Sequence, residues 1–323
     1  MHRFLFFLIL SMAMAGCTHR DKGQLLLVKK DPQKGFHFPY YLYIPEGISA
    51  DQQATIIVEP NNSGFASDDF NEHLEKAKRT AAKDFYIGNY VSRQLKYPLL
   101  VPVFPRPESE WKIYTHALDR DVILQKDNPL ERIDLQLIAM IRDAREKLNE
   151  MKYITREKVL MTGFSASGTF ANRFTLIHPE RIMATAAGGL NGLLMLPVAQ
   201  LEGKELDYPL GVHDFELQFG QPFDSASFKS IPQLLFMGEL DDNDAIPFED
   251  GYEPFEKELI FSVLGEQMQP LRWNKCREVY HHEHVNARVV TYPHIGHEHP
   301  DKVKEDILDF FKTSLAADEA NND

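Results

Sequence analysis

The stretch VLMTGFSASGTF, residues 159–170, changes from an extended to a helical pattern within a short space. Strand-forming residues run into Gly163, Ser165 then stands in a tight turn among small residues, and a helical pattern follows at once. A strand, a sharp turn and a helix in this order are typical of a sheet whose strands are joined by helices. Ser165 is either an exposed nucleophile at this turn or one small polar residue in a buried turn.

The rest of the chain repeats the alternation of strands and helices. Strand patterns cover residues 38–45, 54–60, 97–105, 158–163, 181–189, 232–240 and 286–293, and helical patterns cover residues 68–84, 129–141, 166–180 and 301–315. Such alternation favours a mostly parallel sheet that is covered by helices on both faces. We therefore predict an α/β fold with a mostly parallel central sheet flanked by helices.

Two stretches, residues 190–230 and 247–286, interrupt this alternation. Both are rich in Pro, Phe and Tyr. We interpret them as lid-like insertions over the carboxyl ends of the strands, because open α/β sheets bind their ligands at that edge. Aromatic residues in such segments serve core packing more often than substrate binding.

Composition narrows the class of protein. The chain has 323 residues, 43% hydrophobic and 26% charged, which is ordinary for a globular protein. Its formal net charge is −13, and it has no basic run with interleaved aromatic residues. Nucleic acid is therefore not an expected partner.

The N-terminus has the order of an export signal. MHRFLFFLILSMAMAGC begins with basic residues, continues with an apolar run too short to span a membrane, and ends in small residues. Its end resembles the lipobox of bacterial lipoproteins. We expect residues 1–16 to be the signal, Cys17 to carry lipid, and residues 17–34 to form a tether. The protein would then lie outside the cytoplasm, lipid-anchored in a bacterial cell envelope on the periplasmic side or the cell surface.

The remaining boundaries follow from this division. Residues 35–316 form the globular domain, and residues 317–323 are predicted to be a disordered tail. Cys17 and Cys276 are the cysteines of the chain. If Cys17 carries lipid, Cys276 has no partner within the chain, and no disulfide is expected.

The segment from Gly163 to Gly168 resembles the nucleophile elbow, Gly-x-Ser-x-Gly, of the α/β-hydrolases. A sharp turn of this kind requires small residues two positions before and after the serine. Gly163 meets this requirement, and Ser167 replaces the second glycine with another small residue. The resemblance extends over most of the chain and implies that Ser165 is the nucleophile of a serine hydrolase.

The same resemblance implies an acid and a histidine further along the chain. In FMGELDDND, residues 236–244, the family's Gly-x-x-Asp spacing selects Asp241, with Asp244 as the alternative. The third aspartate, Asp242, would then be a loop or surface residue.

The histidine is expected in the loop after the last strand. YPHIGHEHP, residues 292–300, resembles the family's Gly-His loop, and Gly296 would allow a tight turn that brings His297 toward the serine. His294 and His299 are the alternatives in this loop. His297 would take the proton of the nucleophile, and Asp241 would orient the imidazole.

An oxyanion hole needs two hydrogen-bond donors. The resemblance assigns one to the backbone amide of Ala166, at the start of a helix whose dipole favours negative charge. The other comes from the turn after an early strand, where EPNNSG replaces the usual His-Gly motif. Alignment of the turn selects Asn62, with Ser63 as the alternative.

Other classes of site are less well supported by the sequence. HHEH, residues 281–284, lacks the helical His-Glu-x-x-His spacing of a zinc site, so neither a metal nor another cofactor is expected. The chain most resembles secreted esterases of the polyhydroxyalkanoate-depolymerase and feruloyl-esterase type, which implies hydrolysis of a small-molecule or polymeric ester. The alternatives are a peptidase or amidase of the same fold, and a non-catalytic binding protein of the envelope.

Overall fold

The computed structural model describes residues 23–61, 64–248 and 251–322. The predicted signal, the lipidation site Cys17 and the predicted oxyanion donor Asn62, together with its alternative Ser63, lie outside the described residues.

A mixed sheet forms the centre of the described chain. Its strands are β1 Gln24–Val28, β2 Tyr40–Ile44, β3 Ile57–Val58, β4 Leu99–Pro102, β5 Val159–Phe164, β6 Ile182–Gly188, β9 Gln233–Gly238 and β10 Ala287–Tyr292, and a separate hairpin holds β7 Gln200–Leu201 and β8 Lys204–Glu205. The order in the eight-stranded sheet is β1-β2-β4-β3-β5-β6-β9-β10. Strand β2 runs antiparallel to both of its neighbours, and the strands from β4 to β10 pair in parallel. The predicted mostly parallel sheet is confirmed.

Helices cover both faces of this sheet. They are α1 Phe70–Ala82, α2 Ile87–Leu95, α3 Arg120–Ile123, α4 Ile133–Glu150, α5 Ala166–Ile177, α6 Phe215–Phe219, α7 Ser225–Ser230, α8 Pro254–Leu264, α9 Trp273–His282 and α10 Asp301–Asn322. Helices α1, α2 and α10 share one apolar cluster, and α4, α5, α8 and α9 share the other. Strand β5 is buried throughout and sends Leu160 into the first cluster and Met161 into the second. This two-sided burial explains why β5 is mostly apolar instead of alternating with polar residues, and the hydroxyl of its one polar residue, Thr162, donates to the Ala186 carbonyl.

The domain begins earlier than the sequence predicted. Residues 17–34 were expected to form a tether, but residues 24–28 form β1 and pair antiparallel with β2. Lys34 is also fixed, because its ammonium contacts Asp143 and Glu146 on α4 at 2.5 and 2.7 Å. The polar, Lys-rich composition suggested a tether, whereas the pairing of QLLLV with β2 is a long-range contact that composition does not reveal.

The C-terminus also differs from the expected disordered tail at residues 317–323. Helix α10 continues to Asn322. The Arg156 guanidinium contacts Asp318 and Glu319 at 2.7 and 2.8 Å, which ties the last turns of the helix to the loop before β5. The acidic residues that suggested a solvated tail are thus partners of a distant arginine.

The two predicted insertions correspond to the connections after β6 and after β9, which leave the sheet at its carboxyl edge. Most of their aromatic side chains pack inside, among them Tyr208, Phe215, Phe228 and Trp273. Within residues 23–61, 64–248 and 251–322, no helix is both long enough and apolar enough to cross a membrane.

An ionisable side chain is buried where β3 ends. Glu59 is 1% exposed, and its carboxyl group accepts a hydrogen bond of 2.7 Å from the backbone N–H of Gly88. Burial raises the pKa of Glu59 from 4.5 to about 8, against the opposing effects of the Gly88 bond and of Lys76. Between these values the folded protein holds a proton that the unfolded chain has released, so stability falls as the pH rises.

We predict that Glu59→Gln makes stability less sensitive to pH. Gln keeps an acceptor for Gly88 but has no proton to lose. Between pH 6.5 and 8.5 the free energy of unfolding of the wild type should therefore fall by about 2 kcal/mol more than that of the variant. Urea unfolding of both proteins at the two pH values measures this difference. Equal pH dependence of the two proteins would contradict the assignment.

Candidate active site

Ser165 occupies a strained turn between β5 and α5. Its φ and ψ are 62° and −130°, a conformation that a residue with a side chain rarely adopts. The turn brings backbones very close together: a Cβ on Gly163 would lie 2.3 Å from the carbonyl oxygen of Ser167, and one on Gly168 would lie 2.3 Å from that of Gly188. Glycine is therefore required at both positions. The Ser165 side chain is partly exposed at the carboxyl edge of the sheet.

Ser167, which stands where the family pattern has glycine, supports the turn. Its buried hydroxyl accepts a hydrogen bond of 2.9 Å from the N–H of Phe164 and donates one of 2.9 Å to the carbonyl of the same residue. Both backbone groups immediately before Ser165 are thus satisfied. Serine in place of the family's glycine therefore adds two hydrogen bonds that hold the backbone of the turn.

The structure brings His297 and Asp241 together. His297 Nδ1 lies 3.0 and 3.1 Å from the two carboxylate oxygens of Asp241. The Asp241 side chain is 1% exposed and that of His297 is 25% exposed. An imidazole that donates from Nδ1 to a buried carboxylate carries its lone pair on Nε2, which is then the nitrogen that can accept a proton.

His297 lies beside the turn at Ser165. Its ring packs on the ring of Phe164, the residue before the serine, with centroids 4.7 Å apart. A Cβ on Gly189 would lie 3.0 Å from His297 Cε1, so glycine there lets the imidazole approach. Gly188, the preceding residue, accepts a hydrogen bond of 2.9 Å from the N–H of Ser165. The strands β5 and β6 and the loop after β10 therefore meet at one place.

The two other aspartates of the loop after β9 do not face His297. Asp244 is held by Arg272 through two hydrogen bonds of 2.8 Å, and the Arg272 side chain is fully buried. Asp242 is exposed. Of the two aspartates that the spacing left open, Asp241 is the one that contacts His297.

The neighbouring histidines have other surroundings. The His294 side chain is 91% exposed, and its backbone N–H donates to Glu239. His299 packs between Phe85 and Phe164, with ring centroids 5.0 and 4.9 Å away, and burial lowers its pKa to about 4. At neutral pH His299 is therefore an uncharged packing residue.

The predicted oxyanion donors are described in part. Ala166 is the first residue of α5, so its N–H points out of the helix end. Asn62 lies outside the described residues, but Gly64, where the described chain resumes, is held by Arg106. The buried Arg106 guanidinium donates to the Gly64 carbonyl at 2.5 Å and lies 3.5 Å from the ring centre of Tyr114.

No metal site accompanies these residues in the part of the chain that the structure describes. No group of three His, Cys, Asp or Glu side chains there is arranged to hold an ion. His281 and His282, from the histidine-rich segment, are exposed in the last turn of α9.

Comparison with solved structures identifies the fold. Poly(aspartic acid) hydrolase-1 from Sphingomonas sp. KT-1 is similar with a TM-score of 0.57 and 16% identity, over 88% of this chain and 96% of that chain. S-formylglutathione hydrolase from Agrobacterium tumefaciens is similar with a TM-score of 0.50 and 10% identity, over 90% of this chain and 93% of that chain. The chain has the α/β-hydrolase fold. No protein-family model matches the sequence, and no curated protein is similar enough to count as a relative.

Two residues of this candidate site were missed from the sequence. Asn243 donates its backbone N–H to Asp241 at 3.0 Å, and its side-chain Nδ2 lies 3.3 Å from His297 Nε2. Arg272, far along the chain, holds the loop that carries Asp241 and Asn243 through its hydrogen bonds to Asp244. Asn243 lies within the quoted stretch 236–244, but the family spacing there concerns only the aspartates, and Arg272 belongs to no motif.

We predict that the two aspartates contribute unequally to stability. Asp244→Asn leaves the buried Arg272 without its counter-charge and should lower the free energy of unfolding by on the order of 2–3 kcal/mol. Asp241→Asn keeps a polar partner for His297 and should cost less than about 1 kcal/mol. Urea unfolding of the two variants tests this, and equal losses would contradict a purely structural role for Asp244.

Proposed function

We propose that this chain is a serine hydrolase that cleaves carboxylic esters through an acyl-enzyme. Ser165 is the nucleophile, His297 the general base and acid, and Asp241 the carboxylate that orients the imidazole. The Ala166 amide and the turn at Asn62 supply the oxyanion hole. The observation that carries the proposal is the His297–Asp241 pair, at 3.0 Å, beside the strained turn at Ser165.

The reaction needs these groups in sequence. His297 Nε2 takes the hydroxyl proton as Ser165 Oγ attacks the carbonyl carbon, and the imidazolium is stabilised by the Asp241 carboxylate. The Ala166 N–H stabilises the negative oxygen of the tetrahedral intermediate. The intermediate expels the alcohol, which takes the proton from His297. Water then attacks the acyl-enzyme by the same route and releases the acid.

The electrostatics of the described residues suit this chemistry. Asp241 is nearly inaccessible to solvent, so its charge acts on His297 with little screening. Ser165 immediately precedes α5, whose N-terminus favours the negative charge that develops on the carbonyl oxygen. The reaction uses no metal and no organic cofactor in this proposal.

The substrate class is a proposal as well. The similar structures share under 25% identity and therefore support the fold alone. We choose ester hydrolysis because the sequence most resembles secreted esterases. Amide hydrolysis by the same residues is the alternative within enzymes, and a non-catalytic envelope protein is the alternative outside them.

The N-terminal sequence supports a location. We propose that Cys17 carries lipid after cleavage of the signal and that the domain is anchored in a bacterial cell envelope, outside the cytoplasm. Cys17→Ser should move the protein from the membrane fraction to the soluble fraction of the producing cells. An unchanged distribution would contradict lipid anchoring.

We predict that a fluorophosphonate probe labels Ser165 and that Ser165→Ala abolishes both labelling and ester hydrolysis. Asp241→Asn should lower kcat/KM by a factor on the order of 10³, because the imidazole loses the carboxylate that fixes its tautomer. The measurements are mapping of the labelled peptide and hydrolysis of short-chain p-nitrophenyl esters.

Unfolding curves of both variants serve as the control for folding. Absence of labelling and of hydrolysis in a folded wild-type sample would favour the non-catalytic protein. Faster hydrolysis of a matched anilide than of the ester would favour the amidase. Activity that is lost with a chelator and restored by zinc would contradict the triad.

A further inference from the structure

An exposed carboxamide stands at the nitrogen of His297 that would exchange the proton. Asn243 Nδ2 lies 3.3 Å from His297 Nε2 and 3.3 Å from the side-chain oxygen Oδ1 of Asn191. Asn243 Nδ2 is within reach of both acceptors. His297 Nδ1 faces Asp241, so the carboxamide contacts the other ring nitrogen, the one that exchanges the proton in the proposed reaction.

This position has a chemical meaning in the proposed reaction. The departing alcohol oxygen takes its proton from Nε2 and must come within hydrogen-bonding distance of it, about 2.6–3.2 Å. A group that already lies 3.3 Å from Nε2 therefore adjoins the departing alcohol. The carbonyl oxygen, in contrast, faces the Ala166 amide. Asn243 is placed to contact the alcohol part of the ester.

A single buried guanidinium holds both asparagines in place. Arg272 donates to the backbone carbonyl of Asn191 at 3.2 Å and to both oxygens of Asp244, the residue after Asn243, at 2.8 Å. Asn243 is fixed further by its backbone bond to Asp241 at 3.0 Å. Asn191 has a φ of 53°, a left-handed conformation that asparagine tolerates better than most residues. The two carboxamides are thus presented from supported backbone.

We infer that Asn243 and Asn191 recognise the alcohol part of the ester. They favour alcohols that carry a second hydroxyl group on the carbon next to the one that bears the scissile oxygen. This inference rests on the proposed function. A hydroxyl both accepts and donates, so it can accept from Asn243 Nδ2 and donate to Asn191 Oδ1 in place of their 3.3 Å contact. An alkyl group of the same size leaves both carboxamide groups against carbon, which costs free energy.

The experiment compares 2-hydroxyethyl butanoate with propyl butanoate. Both esters give the same acyl-enzyme, so they differ only in the alcohol that leaves, and the two alcohols have equal numbers of heavy atoms. The measured quantity is the ratio of kcat/KM for the hydroxyethyl ester to that for the propyl ester. The intrinsic reactivity of the two esters cancels when this ratio is compared between variants.

Asn243→Leu should lower this ratio about fivefold, because one hydrogen bond to the alcohol is lost. Asn191→Gly tolerates the left-handed backbone and removes the acceptor, so it should lower the ratio in the same direction. Asp242→Ala, at an exposed neighbouring position, is the matched control and should keep the wild-type ratio. Fluorophosphonate labelling of each variant verifies that Ser165 still reacts.

The outcomes separate the inference from the proposed function. An unchanged ratio in either labelled asparagine variant overturns the inference and leaves ester hydrolysis standing. An equal loss in Asp242→Ala also overturns it, since the effect would then not belong to the carboxamides. If the wild type hydrolyses neither ester and is not labelled, the proposed function fails and the inference fails with it.

Discussion

The positive φ of Ser165 is the constraint on which the rest of the site depends. Backbone strain of this kind costs about 1–3 kcal/mol and persists only where the surroundings enforce it. Here Gly163 and Gly168 allow the strand and helix to approach closely, Ser167 satisfies the backbone of the preceding residue, and the Gly188 carbonyl fixes the Ser165 amide. Together these contacts hold Ser165, which is partly exposed, in this conformation at the carboxyl edge of the sheet.

A second buried group connects the loops around that turn. Arg272 lies in the connection between β9 and β10. Its guanidinium donates to Asn191 in the loop after β6 and to Asp244 in the loop that carries Asp241. The loops that flank His297 therefore share one support. Loss of a single charge inside the protein would loosen both sides of the site, which is why Asp244, although close to Asp241, has a different role in the structure.

The fold was largely predictable because its signals are local. A strand buried on both faces must be apolar throughout, and a helix on such a sheet must carry an apolar face, so the alternation of β5, α5 and β6 is visible in the composition of each segment. The predictions for the two ends of the domain were wrong because the contacts that order them are not local. Residues 24–28 and 317–322 are ordered by partners far away in the chain, and polar composition alone suggested that they were free.

The sequence by itself determined the α/β architecture, because each strand and helix carries its own apolar pattern. Its resemblance to the α/β-hydrolases named Ser165, Asp241 and His297 as candidates, because the turn, the strand end and the glycine-histidine loop match family motifs with short fixed spacings. Only the tertiary structure shows that Asp241 lies beside the imidazole, that Arg272 joins Asp244 to Asn191, and that Asn243 stands at His297 Nε2. These contacts join loops that are remote in sequence, and no local spacing encodes the distance between them.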